Sequence, residues 1–123
     1  AGDLARCDLV EKLPAFAAGL DRLRKGAATY RIALLCAEKD PLTCHRALLV
    51  GRILAREGYR LRHLLPDGSA EEQTALEERL LREEGKESGE IDFETGSLKP
   101  REILLEEAYQ ARCERAAHRR ETA

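Results

Sequence analysis

The sequence predicts an α/β fold in three layers. A parallel strand–helix–strand unit is flanked by helices, the sheet is incomplete in this chain, and a helical extension follows at the C-terminus. Three observations predict it. The run YRIALLC, residues 30–36, is apolar on both faces, as an interior strand of a parallel sheet reads. Asp40-Pro41 then supplies an N-cap and a first-turn proline for a helix. Tyr59 to Leu65 alternates, with Tyr59, Leu61, His63 and Leu65 on one face. Such a βαβ unit is right-handed by the usual rule.

The remaining elements follow in order. Leu13, Phe16, Ala17, Leu20 and Leu23 recur at steps of three and four, which predicts a helix from Val10 to Lys25. Pro14 is tolerated in its first turn, and Gly26 is read as its stop. The second helix is expected from Leu42 to Glu57, with Leu49, Val50, Ile53 and Leu54 inward, ending at Gly58. Pro66-Asp67-Gly68 is a turn. Ser69-Ala70-Glu71-Glu72 reads as a capping box that opens a third helix, striped by Leu76, Leu80 and Leu81 and ending near Gly85. Residues 86–97 read as a loop with a short extended piece at Ile91-Asp92-Phe93. Pro100 starts the last helix, with Leu105, Tyr109, Cys113 and Ala116 inward. The expected division is residues 1–85 for the α/β unit and 86–123 for the loop and helical extension. Two parallel strands leave both edges open and bury little. A partner is therefore expected: the missing N-terminal half of the domain, or another copy in a homo-oligomer.

Composition narrows the function. The 123 residues suit one domain, and 21 basic against 23 acidic residues leave a net charge of −2, so no global basic field for nucleic acid exists. No apolar run approaches the roughly 20 residues of a membrane span, so no membrane partner is expected. No signal peptide is read in AGDLARCDLVEKL. The four cysteines are irregularly spaced and do not read as a disulfide framework, which points to reduced thiols and a cytoplasmic protein. The chain has no Met, even at position 1, and is expected to be a fragment or a processed product.

The chemistry concentrates in CAEKDPLTCHR, residues 36–46, at the expected strand-to-helix turn. Ligands of open α/β sheets sit beyond the carboxyl ends of strands. A helix N-terminus there attracts anions. Four readings stand side by side. In the structural one, Cys36 and Cys44 fill small apolar spaces and Arg46 braces the turn against Glu38. In the second, Arg46, His45 and the helix N-terminus hold an anion or phosphate. In the third, Cys36 or Cys44 is an activated thiol, since Arg and a helix start favour thiolate. In the fourth, Cys36, Cys44, His45 and His63 ligate a metal, but no CxxC or HxxxH spacing supports it, so no metal is expected. A Cys36–Cys44 disulfide would require oxidising conditions. His63, near a strand end, is a core histidine or a ligand-binding one. Cys7 and Cys113 read as incidental, and His118 as solvated.

The run LLCAEKDPLTCHRALLVGRILAREGYRLRHLLPDG resembles the C-terminal half of the DUF488 family of uncharacterised small proteins. The match falls on Cys36, Ala37, Glu38, Pro41, Cys44, His45, Arg46 and His63. It is read as extending over about residues 10–118. The resemblance implies a compact α/β sheet. The family's N-terminal strand motifs, T-I-G-H-S and D-V-R, are not found here. No activity or cofactor is implied. It raises the weight on a site at the turn. The leading expectation is an enzyme-like protein binding an anionic small molecule or nucleotide. Arg46 and His63 would be ligand-binding. Cys36 or Cys44 would be reactive, and Glu38 and His45 would move protons. The alternative is a non-catalytic module that binds nucleic acid or nucleotide through Arg46, Arg52, Arg56, Arg60 and Arg62.

Overall fold

A computed structural model describes residues 7–35 and 38–122, with side chains from 9 to 116. Short helix α1 (Cys7–Val10) precedes α2 (Pro14–Ala27). The expected single helix from Val10 is broken because Pro14 takes the first helical position of a new one. Gly26 does not stop α2. The helix runs one residue further, and the Thr29 and Tyr30 amides fold back onto the Gly26 carbonyl at 3.0 and 2.7 Å.

Residues 31–35 form no strand, and Cys36 lies outside the described residues. The amides of residues 31–35 donate to no backbone carbonyl of the described residues. Tyr30 is 71% exposed and Leu35 96% exposed. No strand among the described residues lies beside it to accept its hydrogen bonds, and residues 31–35 stay open to solvent.

The helix expected at Leu42–Glu57 is three pieces: a 3₁₀ turn (Pro41–Thr43), a π-helix (Arg46–Gly51) and α3 (Arg52–Arg56). Gly58, at φ 93°, takes the chain out of the helix in the left-handed region. The second expected strand shortens to β1 (Arg62–Leu64), and it pairs antiparallel with β2 (Ala70–Glu72). The parallel βαβ unit and the three layers are therefore corrected to a mixed α/β fold with one small antiparallel hairpin. The Pro66-Asp67-Gly68 turn explains why. Its Gly68 amide reaches the Leu65 carbonyl at 2.9 Å, and the Leu65 amide reaches the Ser69 carbonyl at 2.9 Å, which reverses the chain into a hairpin. Ala70–Glu72 is consumed as a strand, so no capping box forms and helix α4 (Gln73–Glu83) begins at Gln73.

The core lies between the 3₁₀ turn, the π-helix, α4 and α5 (Arg101–Thr122). Leu42, Ala47, Leu48, Leu76, Leu80, Leu104, Ala108, Tyr109 and Ala116 meet there. The predicted stripes of the last two helices are the buried ones, with Leu105 partly covered. Ile91 and Leu98 form an isolated antiparallel bridge in the loop before α5.

Candidate functional site

The turn before the π-helix is set by Asp40. Its carboxylate accepts the Leu42 amide at 3.0 Å, and its carbonyl accepts the Thr43 hydroxyl at 2.8 Å. This is the N-cap geometry expected of Asp-Pro. The same carboxylate is gripped from α4 by Arg79, at 2.9 Å. Arg79 also holds Glu71 of β2 in a two-pronged pair, both contacts 2.9 Å, and Glu83 at 3.2 Å. One guanidinium thus ties the turn, the hairpin and α4 together.

Arg46 opens the π-helix. The ion pair to Glu38 that a brace requires does not form. Among the described residues no carboxylate lies within ion-pairing distance of Arg46, and its buried Nε and Nη2 have no hydrogen-bond partner. Arg52 and Arg112 each also have a buried Nε without a partner, but their other nitrogens reach carboxylates. Arg46 differs from them in this respect. Arg46 as a whole is half-buried, and burying guanidinium nitrogens without a hydrogen-bond partner is unfavourable.

Cys44 is 2% exposed, and its sulfur accepts the Arg46 amide at 3.3 Å. Cys44 and Cys113 each take part in a disulfide, so reduced thiols are not what the structure holds. Cys113 is not incidental: it is 1% exposed and packs with Leu49, Val10, Phe16 and Ile53. Glu38 and His45 are half-buried. Cys36 lies outside the described residues, so the structure does not place it relative to Glu38, Cys44, His45, Arg46 and His63. His118 lies within α5, its side chain outside the described ones.

His63 is 5% exposed and belongs to a buried polar chain. Its Nε2 is 2.6 Å from Gln73 Oε1, Gln73 Nε2 donates to the Tyr109 hydroxyl at 2.7 Å, and that hydroxyl donates to Glu77 at 2.8 Å. The direction is forced from the far end. Glu77 as carboxylate only accepts, so Tyr109 donates to it and accepts from the Gln73 amide nitrogen. The Gln73 oxygen is then left to accept, which puts the proton on His63 Nε2. Burial, then the Glu77 charge, pushes the Tyr109 phenol well above its ordinary range. Gly51 packs against this chain. A Cβ there would lie 3.8 Å from both His63 Cε1 and Gln73 Oε1, and 3.0 Å from the Arg46 carbonyl oxygen.

The remaining arginines of the basic strip are engaged within the chain. Arg52 is 3% exposed, bonded to Glu11 at 3.0 Å and Glu106 at 3.2 Å, with its guanidinium 5.9 Å from the Tyr109 ring centre. Arg56 pairs with Glu106 at 3.1 Å, and Arg60 and Arg62 both pair with Glu72. Sequence reading missed Arg79, Gln73 and Glu77 altogether, and placed Tyr109 only as a packing residue. Each works through a partner far away in the chain, and no local pattern marks such a pair. Among the described residues, no group of three or more His, Cys, Asp or Glu is placed to hold a metal ion, and no helix is long and apolar enough to cross a membrane.

Residues 7–53 match the family model described as Domain of unknown function DUF488. The resemblance is thus shown over the segment that contains the whole Cys36–Arg46 motif. His63 and the last two helices lie beyond the matched residues. No curated protein and no solved structure matches the chain.

Proposed function

We propose that the Cys36–Arg46 turn binds an anionic small molecule or nucleotide through the guanidinium of Arg46. The observation that carries this reading is the pair of buried Arg46 nitrogens that no described group satisfies. A phosphate or carboxylate offers the planar, two-pronged acceptor that such a fork fits. The site is completed by a partner, either the N-terminal half of a DUF488-like domain or a second copy of this chain. The exposed apolar run from Tyr30 to Leu35, which leads into the motif, is the segment that would pair with it. A reaction at the turn with Cys36 or Cys44 as nucleophile, and Glu38 and His45 moving protons, requires the reduced state of the thiols. No observation favours the nucleic-acid reading, because Arg52, Arg56, Arg60 and Arg62 are already paired with carboxylates.

The test is calorimetric titration of inorganic phosphate, and of a nucleotide, into the parent and into Arg46→Lys. The reading expects saturable binding in the parent and at least tenfold weaker binding in the variant, which keeps the charge but loses the fork. Equal affinities in both proteins, or none in the parent, would reject Arg46 as the anion clamp.

A further inference from the structure

We infer that the anion site at Arg46 is redox-gated, open when Cys44 is in its disulfide and closed by the thiolate that reduction releases. This inference rests on the anion-binding reading above and adds its regulation. Three features of the structure carry it. The Cys44 sulfur is two residues from Arg46 and already accepts the Arg46 amide at 3.3 Å. Cys44 is disulfide-bonded, and a disulfide sulfur carries no charge. The buried Arg46 nitrogens have no counter-charge among the described residues. In the oxidised state no described residue therefore compensates the positive charge of Arg46, and an external anion is the group that would meet it.

Reduction changes the local charge. A dithiol reductant transfers two electrons and two protons to the disulfide. The sulfur–sulfur bond breaks, two protein thiols form, and the reductant closes its own disulfide. A Cys44 thiol then loses its proton to solvent, and its thiolate is favoured by the Arg46 amide that its sulfur already accepts. That thiolate is an internal anion two residues from Arg46 and in contact with its backbone amide. It competes with any ligand for the field of Arg46. Linkage makes the competition reciprocal: bound anion must disfavour the thiolate as much as the thiolate disfavours the anion.

The experiment titrates inorganic phosphate into the oxidised parent and into the parent reduced with dithiothreitol. Both are held near pH 9, above the ordinary thiol value of about 8.5. Reduction is expected to weaken phosphate binding by at least roughly tenfold, the order that one opposing charge a few ångström away contributes even when screened as in bulk water. The double variant Cys36→Ser/Cys44→Ser removes every ionisable sulfur of the motif, and it should show a single affinity with and without reductant. Phosphate should also slow iodoacetamide labelling of Cys44 in the reduced parent, read by mass spectrometry of the peptide. Equal affinity of the oxidised and reduced parent would overturn the gate while leaving the anion site standing. So would a double variant that still responds to reductant. No phosphate binding in either redox state would remove the site itself, and the gate with it.

Discussion

Arg79 on α4 donates to the Asp40 carboxylate at 2.9 Å, across 39 positions of chain. Asp40 in turn caps the 3₁₀ turn that precedes the Cys44-His45-Arg46 segment. The contact makes the α4 face a structural support of the motif. Arg79→Met should lower stability by about 1–2 kcal/mol, since three carboxylates lose their shared partner in a partly buried setting. Urea denaturation measures it. A change within about 0.5 kcal/mol, the range of ordinary surface substitutions, would remove Arg79 from this role.

The same pair gives a pH dependence. Burial acts to raise the Asp40 pKa. The hydrogen bonds from Arg79 and the Leu42 amide, with the charges of Arg79 and Arg112, outweigh it and hold the carboxyl below its ordinary range. A depressed carboxyl contributes stability above its unfolded value, about 3.9, and loses it as pH falls through the folded value. The parent should therefore lose stability on acidification below about pH 4. Asp40→Asn keeps the cap and removes the titration, so its melting temperature should fall less steeply in that window. Parallel acid profiles for the two proteins would contradict the assignment.

Tyr109 anchors the buried chain from His63 to Glu77. Tyr109→Phe leaves the Gln73 amide nitrogen without its acceptor and should cost about 1–3 kcal/mol. His63→Leu strands the Gln73 oxygen in the same way. Because Gln73 transmits between them, the two substitutions should be non-additive in a double-mutant cycle by denaturant unfolding. Strict additivity would show that the chain does not act as a unit.

Much of the local structure was legible in the sequence. The Pro-Asp-Gly turn and the Leu76, Leu80, Leu81 stripe depend on residues close in the chain and formed as read, whereas the Asp-Pro cap formed on a 3₁₀ turn rather than on the expected long helix. The parallel strands did not form. An apolar run on both faces reads as an interior strand, but pairing needs a neighbour, and the described residues supply none to residues 31–35. Ser69-Ala70-Glu71-Glu72 carried two compatible local readings, a helix cap and a hairpin strand. The hairpin won because the turn before it brought Arg62 opposite Glu72 and His63 opposite Glu71. The motif around Arg46 was visible as a cluster of chemistry-bearing residues. Its unpaired state was not, because the expected partner Glu38 is near in sequence and only coordinates show that the two do not pair.

Gly51 illustrates a further constraint. Alanine normally favours a helix over glycine by about 1 kcal/mol. Here a Cβ would press on the Arg46 carbonyl oxygen at 3.0 Å, and backbone yields less readily than a side-chain tip. Gly51→Ala should destabilise the protein by about 1 kcal/mol, as overpacking does. Thermal unfolding decides it, and a rise in melting temperature would mean that the π-helix relaxes without strain.

The exposed apolar run at residues 30–35 also has a consequence in solution. Tyr30, Ile32, Leu34 and Leu35 are 71, 44, 37 and 96% exposed. The chain by itself should associate or bind an apolar dye at micromolar concentration, and Ile32→Lys with Leu34→Lys should abolish both. Analytical ultracentrifugation is the readout. A monomer that binds no dye and unfolds cooperatively would count against a missing partner.

The central claim is that Arg46 is kept unpaired for an anion, and stability with and without anion tests it most directly. Arg46→Met removes a half-buried charge whose two buried nitrogens have no partner among the described residues, while keeping volume. Thermal unfolding in anion-poor buffer should therefore show the variant at least as stable as the parent. Added phosphate at about a hundred times its dissociation constant should stabilise the parent by about 2.7 kcal/mol and leave the variant unmoved. A variant that is less stable than the parent without anion, together with a parent that phosphate does not stabilise, would make Arg46 a structural residue and contradict the account.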